Sequence, residues 1–525
     1  MRRPFFLSFL ACACLTWSAS TLSAKPVRDT LHLISFNDFH GSFQATGNIP
    51  GAGRLVKTLR DMRQAFSDVC IVACGDNYSG GYFSRLTGGH PLDEMFQAVN
   101  VEYSAIGNHE FDWGIEAMKE RLAWGNTRYL AANIFTDSLR GIRPGWAVPY
   151  AIKRQRLKNG TSLRTAFIGL STQETKTAAL PEIVKDLDFA NPARMAGLTM
   201  EYLKDSADLY ILLTHVGTGM ENGQPVFTDK DVDGLSEVPG IHGILSGHSH
   251  QEVYGLLNGV PVVQARNYGR KIAHLRYEVR QDRKGRVHVR FLDGEIAEPG
   301  PETDPEMEKS VERYLNAPEY GFNQILTENL QTLAPQDYEP GGRFSRLGAL
   351  VTTAYRDCYR LTTDDDTSLV IGVCNEGAIR TLLPQGPVTR LQAGNVIPFG
   401  GILRACHMNG AQLRELLQYG IECKAGWLQY HDMEIGLENG KITSMTYVGD
   451  GKRVDLDEDT PCIIVTENFV ASGGDGYDPD WFKETARNFE SVHASERNPT
   501  DVFIRYLGTL PSLDAKKIAV PRIKP

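Results

Sequence analysis

The chain has 525 residues, too many for one hydrophobic core, so two or more domains are expected. Apolar residues make up 42% and charged residues 23%, the balance of a globular chain rather than a disordered or membrane-embedded one. The formal net charge is −9 and no long Lys/Arg cluster occurs, which argues against a nucleic-acid polymer as the main partner.

Arg2 and Arg3 precede an apolar body from Phe5 to Trp17, and Leu22-Ser23-Ala24 is a small-residue cleavage site. Residues 1–24 are therefore expected to be a signal peptide. The mature chain would begin near Lys25 and be exported, to the periplasm, the cell surface or the medium. The apolar body is too short and interrupted for a membrane span, and no later run is long enough, so no stable membrane insertion is expected. Seven cysteines follow the leader. Their odd number and irregular spacing are no disulfide framework, and Cys70 and Cys74 lie in an apolar run as small hydrophobes.

From Thr30 the side chains alternate as in a strand, which ends in Asn37-Asp38-Phe39-His40-Gly41. Side chains two apart on extended chain point the same way, so Asp38 and His40 can share one metal ion. Gly51 to Phe66 reads as helix. Val69 to Cys74 reads as a buried strand ending in Gly75-Asp76-Asn77. Helix-like Pro91 to Val99 leads to strand-like Tyr103 to Ile106, then Gly107-Asn108-His109-Glu110-Phe111-Asp112, where Asp112 can orient His109. Strand-like Thr165 to Leu170, Leu209 to Leu213, Ile241 to Leu245 and Val260 to Gln264 follow. The second ends in Thr214-His215 and the third in Gly247-His248-Ser249-His250. A polar hairpin through Lys271–Arg280 and Arg286–Asp293 closes the series. Strands alternating with helices indicate an α/β domain, whose ligands sit at the carboxyl ends of strands, where each of these polar clusters occurs.

Asp38, His40, Asp76, Asn108, His109, His215, His248 and His250 thus gather five of the thirteen histidines at strand ends. A single member means little, since a strand-end Asp often caps a helix and a lone His is usually structural. Five separate segments of this kind point to a metal site.

The set Asp38-x-His40, Gly75-Asp76, Gly107-Asn108-His109-Glu110, His215 and Gly247-His248-x-His250 resembles the calcineurin-like metallophosphatases. Phe36 to Gly41 and Gly107 to Asp112 resemble the 5′-nucleotidase branch in particular. That resemblance implies a four-layer αββα sandwich followed by a C-terminal mixed α/β nucleotide-binding domain. It also implies two divalent metal ions. Asp38, His40, Asp76 and His250 would hold one ion, and Asp76, Asn108, His215 and His248 the other, with Asp76 giving one carboxylate oxygen to each. His109, partnered by Asp112, would be the catalytic group beside the leaving oxygen. Ions so placed make hydroxide available near neutral pH to attack phosphorus in line. Mixed His, Asp and Asn ligands suit Zn2+ or Mn2+, with Co2+ and Fe2+ also fitting, better than Ca2+.

Pro299-Gly300-Pro301 and the polar stretch after it break the chain, so the domain boundary is placed at 301–340, between a domain of 25–300 and one of 341–525. Met307 to Leu315 reads as a short helix within that stretch. Beyond Leu347, three Gly-rich segments follow apolar runs: Asn375 to Arg380, Pro398-Phe399-Gly400-Gly401, and Asn468 to Tyr477. Together they offer two Phe to sandwich a base, Asp475 to accept from ribose hydroxyls, and Arg380 to pair with phosphate. These segments resemble the C-terminal domain of 5′-nucleotidases. Phe399 and Phe469 fall on the base-stacking pair, Asp475 on the ribose ligand, and Asn375 and Arg380 on the base and phosphate contacts; Arg343 is a weaker match to another phosphate-facing Arg. Ala378 stands where the family usually has a second Gly, and Gly401 where many bacterial members have Asn and others Gly.

The expectation is an exported hydrolase that cleaves nucleoside 5′-monophosphates to nucleoside and phosphate. The same scaffold would also suit a 2′,3′-cyclic nucleotide phosphodiesterase, a UDP-sugar hydrolase or a broad phosphatase. A catalytically dead nucleoside-binding protein is the rival from another class, and an intact ligand set argues against it.

Overall fold

A computed structural model describes residues 27–230, 232, 234–338, 343–423 and 427–524. The leader, residues 1–24, lies outside the described residues. In the first half, two six-stranded sheets stack face to face. One runs, edge to edge, Val287–Ala297, Ile272–Gln281, Val27–Phe36, Val69–Ala73, Val101–Ala105, Arg128–Leu130, and its last four strands are parallel. The other runs Glu252–Leu257, Val260–Ala265, Gly243–Leu245, Leu209–His215, Ser162–Ser171, Tyr150–Arg156, with four parallel strands between antiparallel edges.

Strand alternation explains the layering. Leu31 and Leu33 point between the sheets, into a cluster with Cys70 and Cys74 of their own sheet and Phe167 and Ile211 of the facing one. Ile34 and Phe36 point the other way, onto Val56 and Leu59 of the helix Gly51–Ala65 and Phe96 of the helix His90–Val99. On the far sheet, Ile168, Leu212 and Ile244 pack outward against Ala196 and Leu203. The result is a four-layer sandwich. Cys70, Cys74, Cys358, Cys374, Cys406 and Cys462 are buried thiols outside any disulfide.

The expected short helix lies in the stretch 301–338. Helix Pro305–Leu315 is capped by Asp304, whose side chain accepts the Met307 N–H at 3.0 Å, and it lies on the helix Gly51–Ala65. An added Cβ at Gly53 would stand 1.9 Å from Glu308 Oε1, so glycine permits that close approach. Phe322 is buried 5.3 Å from the Phe83 ring, and strand Ile325–Asn329 pairs with Gly386–Thr389 in the second half.

In that second half, a sheet ordered Leu403–Met408, Cys462–Glu467, Val370–Asn375, Leu428–Tyr430 packs on helices Arg346–Thr363 and Gly410–Glu422. Ser345 and Asn409 cap those helices through side-chain oxygens. The halves meet directly. Arg390 Nε donates to Tyr82 Oη at 3.1 Å, Tyr82 N donates to Asn395 Oδ1 at 2.9 Å, and an added Cβ at Gly394 would stand 2.2 Å from the Tyr82 ring. No described helix is long and apolar enough to cross a membrane.

Candidate active site

The candidate ligands converge at the carboxyl ends of the parallel strands. His40 Nε2 and His250 Nε2 lie 3.1 Å apart, with Asp38 Oδ1 3.8 Å from the first and 3.4 Å from the second. Beside them, His215 Nε2 lies 3.1 Å from Asp76 Oδ2 and 3.2 Å from Asn108 Oδ1, and ligand atoms of Asp76, His215 and His248 fall within 4.8 Å of one another.

Asp38 and His40 do not converge as neighbours on extended chain. The strand stops at Phe36, and both residues take left-handed backbone, φ 49° and 51°. The Asp38 and His40 N–H groups donate to the carbonyls of Gly75 and Asp76 at 3.1 and 3.0 Å, which fixes the turn. Asp76, His248 and His250 are left-handed too, at 52°, 79° and 58°. For non-glycine residues this conformation is strained and persists only where its surroundings enforce it.

Asp76 also departs from expectation. Its Oδ1 accepts the His109 backbone N–H at 2.9 Å, while Oδ2 faces both His215, at 3.1 Å, and His40, at 3.8 Å. One oxygen, rather than one to each side, therefore addresses both groups. Gly107 makes this contact available, since an added Cβ would stand 2.1 Å from Asp76 Oδ1.

These groups fit divalent cations. His40 Nδ1 faces the Ser79 carbonyl at 2.8 Å and His215 Nδ1 the Cys74 carbonyl at 2.7 Å. A ring nitrogen facing a carbonyl carries a proton, which leaves each Nε2 as the nitrogen that a cation would take. Carboxylate and amide oxygens gather around these nitrogens in a buried space, an arrangement that calls for positive charge. Without a cation, protonated histidine answers that call. Burial works against the imidazolium of His215, yet Asp76 and Asp38 outweigh it and push its pKa up to about 10. Burial likewise opposes the Asp38 carboxylate, and His250 and His215 overcome it.

His109 Nδ1 lies 2.9 Å from Asp112 Oδ2. Burial disfavours its charged form, but Asp112 and Asp76 hold its pKa above the ordinary histidine value. Its other face stacks on Phe399, centroids 5.2 Å apart and planes 12° apart. A cavity of about 270 Å³ opens here. Asp76, Asn108, His109, His248 and His250 line it from one half, and Asn375, Arg380, Phe399, Phe469 and Asp475 from the other. The Arg380 guanidinium carbon stands 5.2 Å from the Phe399 ring centroid, and its Nε and Nη2 are buried without a hydrogen-bond partner. Asn375 Nδ2 donates to Asp475 Oδ2 at 2.9 Å. Asp475 itself is left-handed, φ 54°, among the glycines that let this turn close.

Arg343 is not brought to this cavity. It is exposed, its guanidinium 5.5 Å from the Trp427 ring centroid. The segment before Phe399 is the helix Arg390–Val396. Ala378 lines the cavity wall, and Gly401 has φ 82° with room for no Cβ, because Asn468 Oδ1 would lie 2.5 Å away.

Several supporting residues have no role legible in sequence. Buried Glu110 accepts the backbone N–H groups of Asp76, Asn77 and Gly107 at 2.9, 2.8 and 2.6 Å. Ser79 Oγ donates to Asp112 Oδ2 at 2.5 Å, and Asn267 Nδ2 lies 2.9 Å from His250 Nδ1. Of these, only Glu110 carries a signal, as part of the motif that includes Asn108 and His109.

Comparison with known proteins agrees with the layout. Residues 31–252 match the calcineurin-like phosphoesterase family, and residues 332–484 match the 5′-nucleotidase C-terminal domain. A 5′-nucleotidase of Vibrio cholerae is 24% identical over 498 residues, 85% of each chain. Protein UshA of Escherichia coli is 25% identical over 493 residues, 84% of this chain and 85% of that one. The crystal structure of a 5′-nucleotidase precursor from Thermus thermophilus has the same fold, with TM-score 0.72 and 22% identity over 94% of this chain and 99% of that one. With both family models matched in this order along one chain, the protein belongs to the 5′-nucleotidase family and is a metal-dependent phosphoester hydrolase.

Proposed function

We propose that the protein hydrolyses nucleoside 5′-monophosphates to nucleoside and inorganic phosphate. Residues 25–300 form the catalytic domain, 301–340 the connection and 341–525 the substrate domain, and the leader directs the chain out of the cytoplasm. One observation carries this reading: a single cavity is lined by the clustered Asp, Asn and His side chains on one side and by Phe399, Phe469, Asp475 and Arg380 on the other. Asp38, His40, Asp76 and His250 would hold one cation, and Asp76, Asn108, His215 and His248 a second. Two divalent cations at these ligands supply positive charge toward phosphoryl oxygens and acidify water.

The chain's own groups do the rest. Arg380 has buried N–H groups free to pair with the phosphate. Phe399 and Phe469 stack the base, and Asp475 accepts from the ribose hydroxyls. Water oxygen bonds to phosphorus as the bond to O5′ breaks; His109, held by Asp112, delivers a proton to O5′, one proton of the water restores His109 and the other stays on the phosphate. Phosphate release from a panel of nucleoside 5′-monophosphates, 2′,3′-cyclic nucleotides and UDP-sugars, with Mn2+ or Zn2+ and with chelator, tests the proposal. Fastest release from 5′-monophosphates, abolished by chelator, is the expected result. Release that survives exhaustive chelation, or a preference for the cyclic esters, would overturn it.

Ribose binding should depend on pH. Burial pushes the Asp475 carboxyl up to about 6, although the hydrogen bond from Asn375 works the other way. A raised pKa means that the proton leaves only above that value, and only the carboxylate accepts from both hydroxyls. KM should therefore fall as pH rises from about 5 to about 7, by up to about tenfold per pH unit, and then level off. Asp475→Asn should flatten this limb of the KM profile. A limb unchanged in that variant assigns the dependence to another group.

A further inference from the structure

We propose a third cation site, adjoining the ligand group of Asp76, His215 and His248, built on Glu174 and Asp229 and suited to a hard divalent cation such as Ca2+. Ligand atoms of Glu174, Asp229 and His248 all lie within 4.8 Å of one another. Asp229 is 9% exposed, and its Oδ2 is buried with no hydrogen-bond partner. Buried carboxylates are normally paired or hold a metal, so this oxygen lacks the partner that its position demands. The side chain is wedged in place. An added Cβ at Gly217, in the loop after His215, would stand 2.2 Å from Asp229 Oδ1. Glu174 brings the second carboxylate from another segment. Its Oε1 accepts the Lys230 backbone N–H at 3.4 Å, and its Oε2 lies 3.6 Å from His248 Nε2.

The chemistry of the donors selects the ion. A neutral imidazole that gives one nitrogen to a cation keeps its proton on the other. His248 already belongs to the group of Asp76 and His215, so the donors left for a new ion are carboxylate oxygens. Oxygen donors favour Ca2+ or Mg2+ over Zn2+, with water and backbone carbonyls completing the shell.

Such an ion would brace the substrate cavity. Glu174 immediately precedes helix Thr175–Ala178, and Ala178 and Leu180 line the cavity wall. Tying Glu174 to Asp229 fixes that wall without any contact to the substrate.

The test uses the full mature chain, first saturated with Zn2+ and freed of excess, then titrated calorimetrically with Ca2+ alongside metal analysis. The expected result is one further Ca2+ per chain and a higher Tm. Asp229→Asn and Glu174→Gln should each weaken Ca2+ binding by at least about tenfold with zinc content unchanged. Asp76→Asn should still bind Ca2+. No Ca2+ uptake by the wild-type chain, unchanged affinity in both carboxylate variants, or uptake lost only in Asp76→Asn would each overturn the proposal.

Discussion

Asp76→Ala is expected to lower phosphate release from nucleoside 5′-monophosphates by at least about a thousandfold, with loss of bound metal. Asp76 is the residue on which both ligand groups depend, since its Oδ2 faces His40 and His215 while Oδ1 fixes the His109 backbone. Removing the carboxylate therefore withdraws charge from both groups and frees the loop that carries Asn108 and His109. Asp76→Asn separates these effects. It keeps the side-chain shape and an oxygen for the His109 N–H, but removes the negative charge. It should remain folded by circular dichroism and still lose most turnover and metal. A folded Asp76→Asn protein that retains wild-type phosphate release would sink the two-cation reading.

His109→Ala is expected to lower turnover of nucleoside esters by about 10²–10⁴-fold, the usual worth of a placed proton donor. Its loss should depend on the leaving group. A nucleoside O5′ leaves as a strongly basic alkoxide and needs a proton, whereas p-nitrophenolate leaves without one. The deficit on p-nitrophenyl phosphate should thus be at least about ten times smaller. Equal losses on both esters would place His109 on the phosphoryl group instead. Asp112→Asn offers a graded version, because Asp112 contacts His109 Nδ1 and raises its pKa against the effect of burial.

Much of the first half could be read from residue order because a parallel strand must end where its polar residues begin. Val69 to Cys74 is uninterrupted apolar sequence, and the strand there ends at Ala73, just before Gly75-Asp76. What sequence could not show is how the turns are made. Alternation continues only while the chain is extended, and Asp38 and His40 have left that conformation. Their convergence comes from hydrogen bonds to Gly75 and Asp76, contacts that no periodicity encodes. In the stretch after Pro301 the short helix is legible, and Pro305 opens it, but the burial of Phe322 is not, because one aromatic among polar residues has no period. Arg343 shows the limit of placing a long side chain by motif. Its neighbour Phe344 is buried 4.6 Å from Tyr430, and Arg343 itself turns out toward Trp427.

Glu110 carries a consequence for how cations are captured. One buried carboxylate gathers backbone N–H groups from both the Gly75–Asn77 turn and the Gly107 turn. Burial and the nearby Asp76 push its pKa up to about 7, so its charge is costly, and those three N–H groups are what offset it. The conformational entropy of the two turns is thereby spent while the chain folds, before any cation arrives. An incoming ion meets donors already arranged. Its binding free energy is then set by dehydration and donor contact, with little left to lose in ordering the protein.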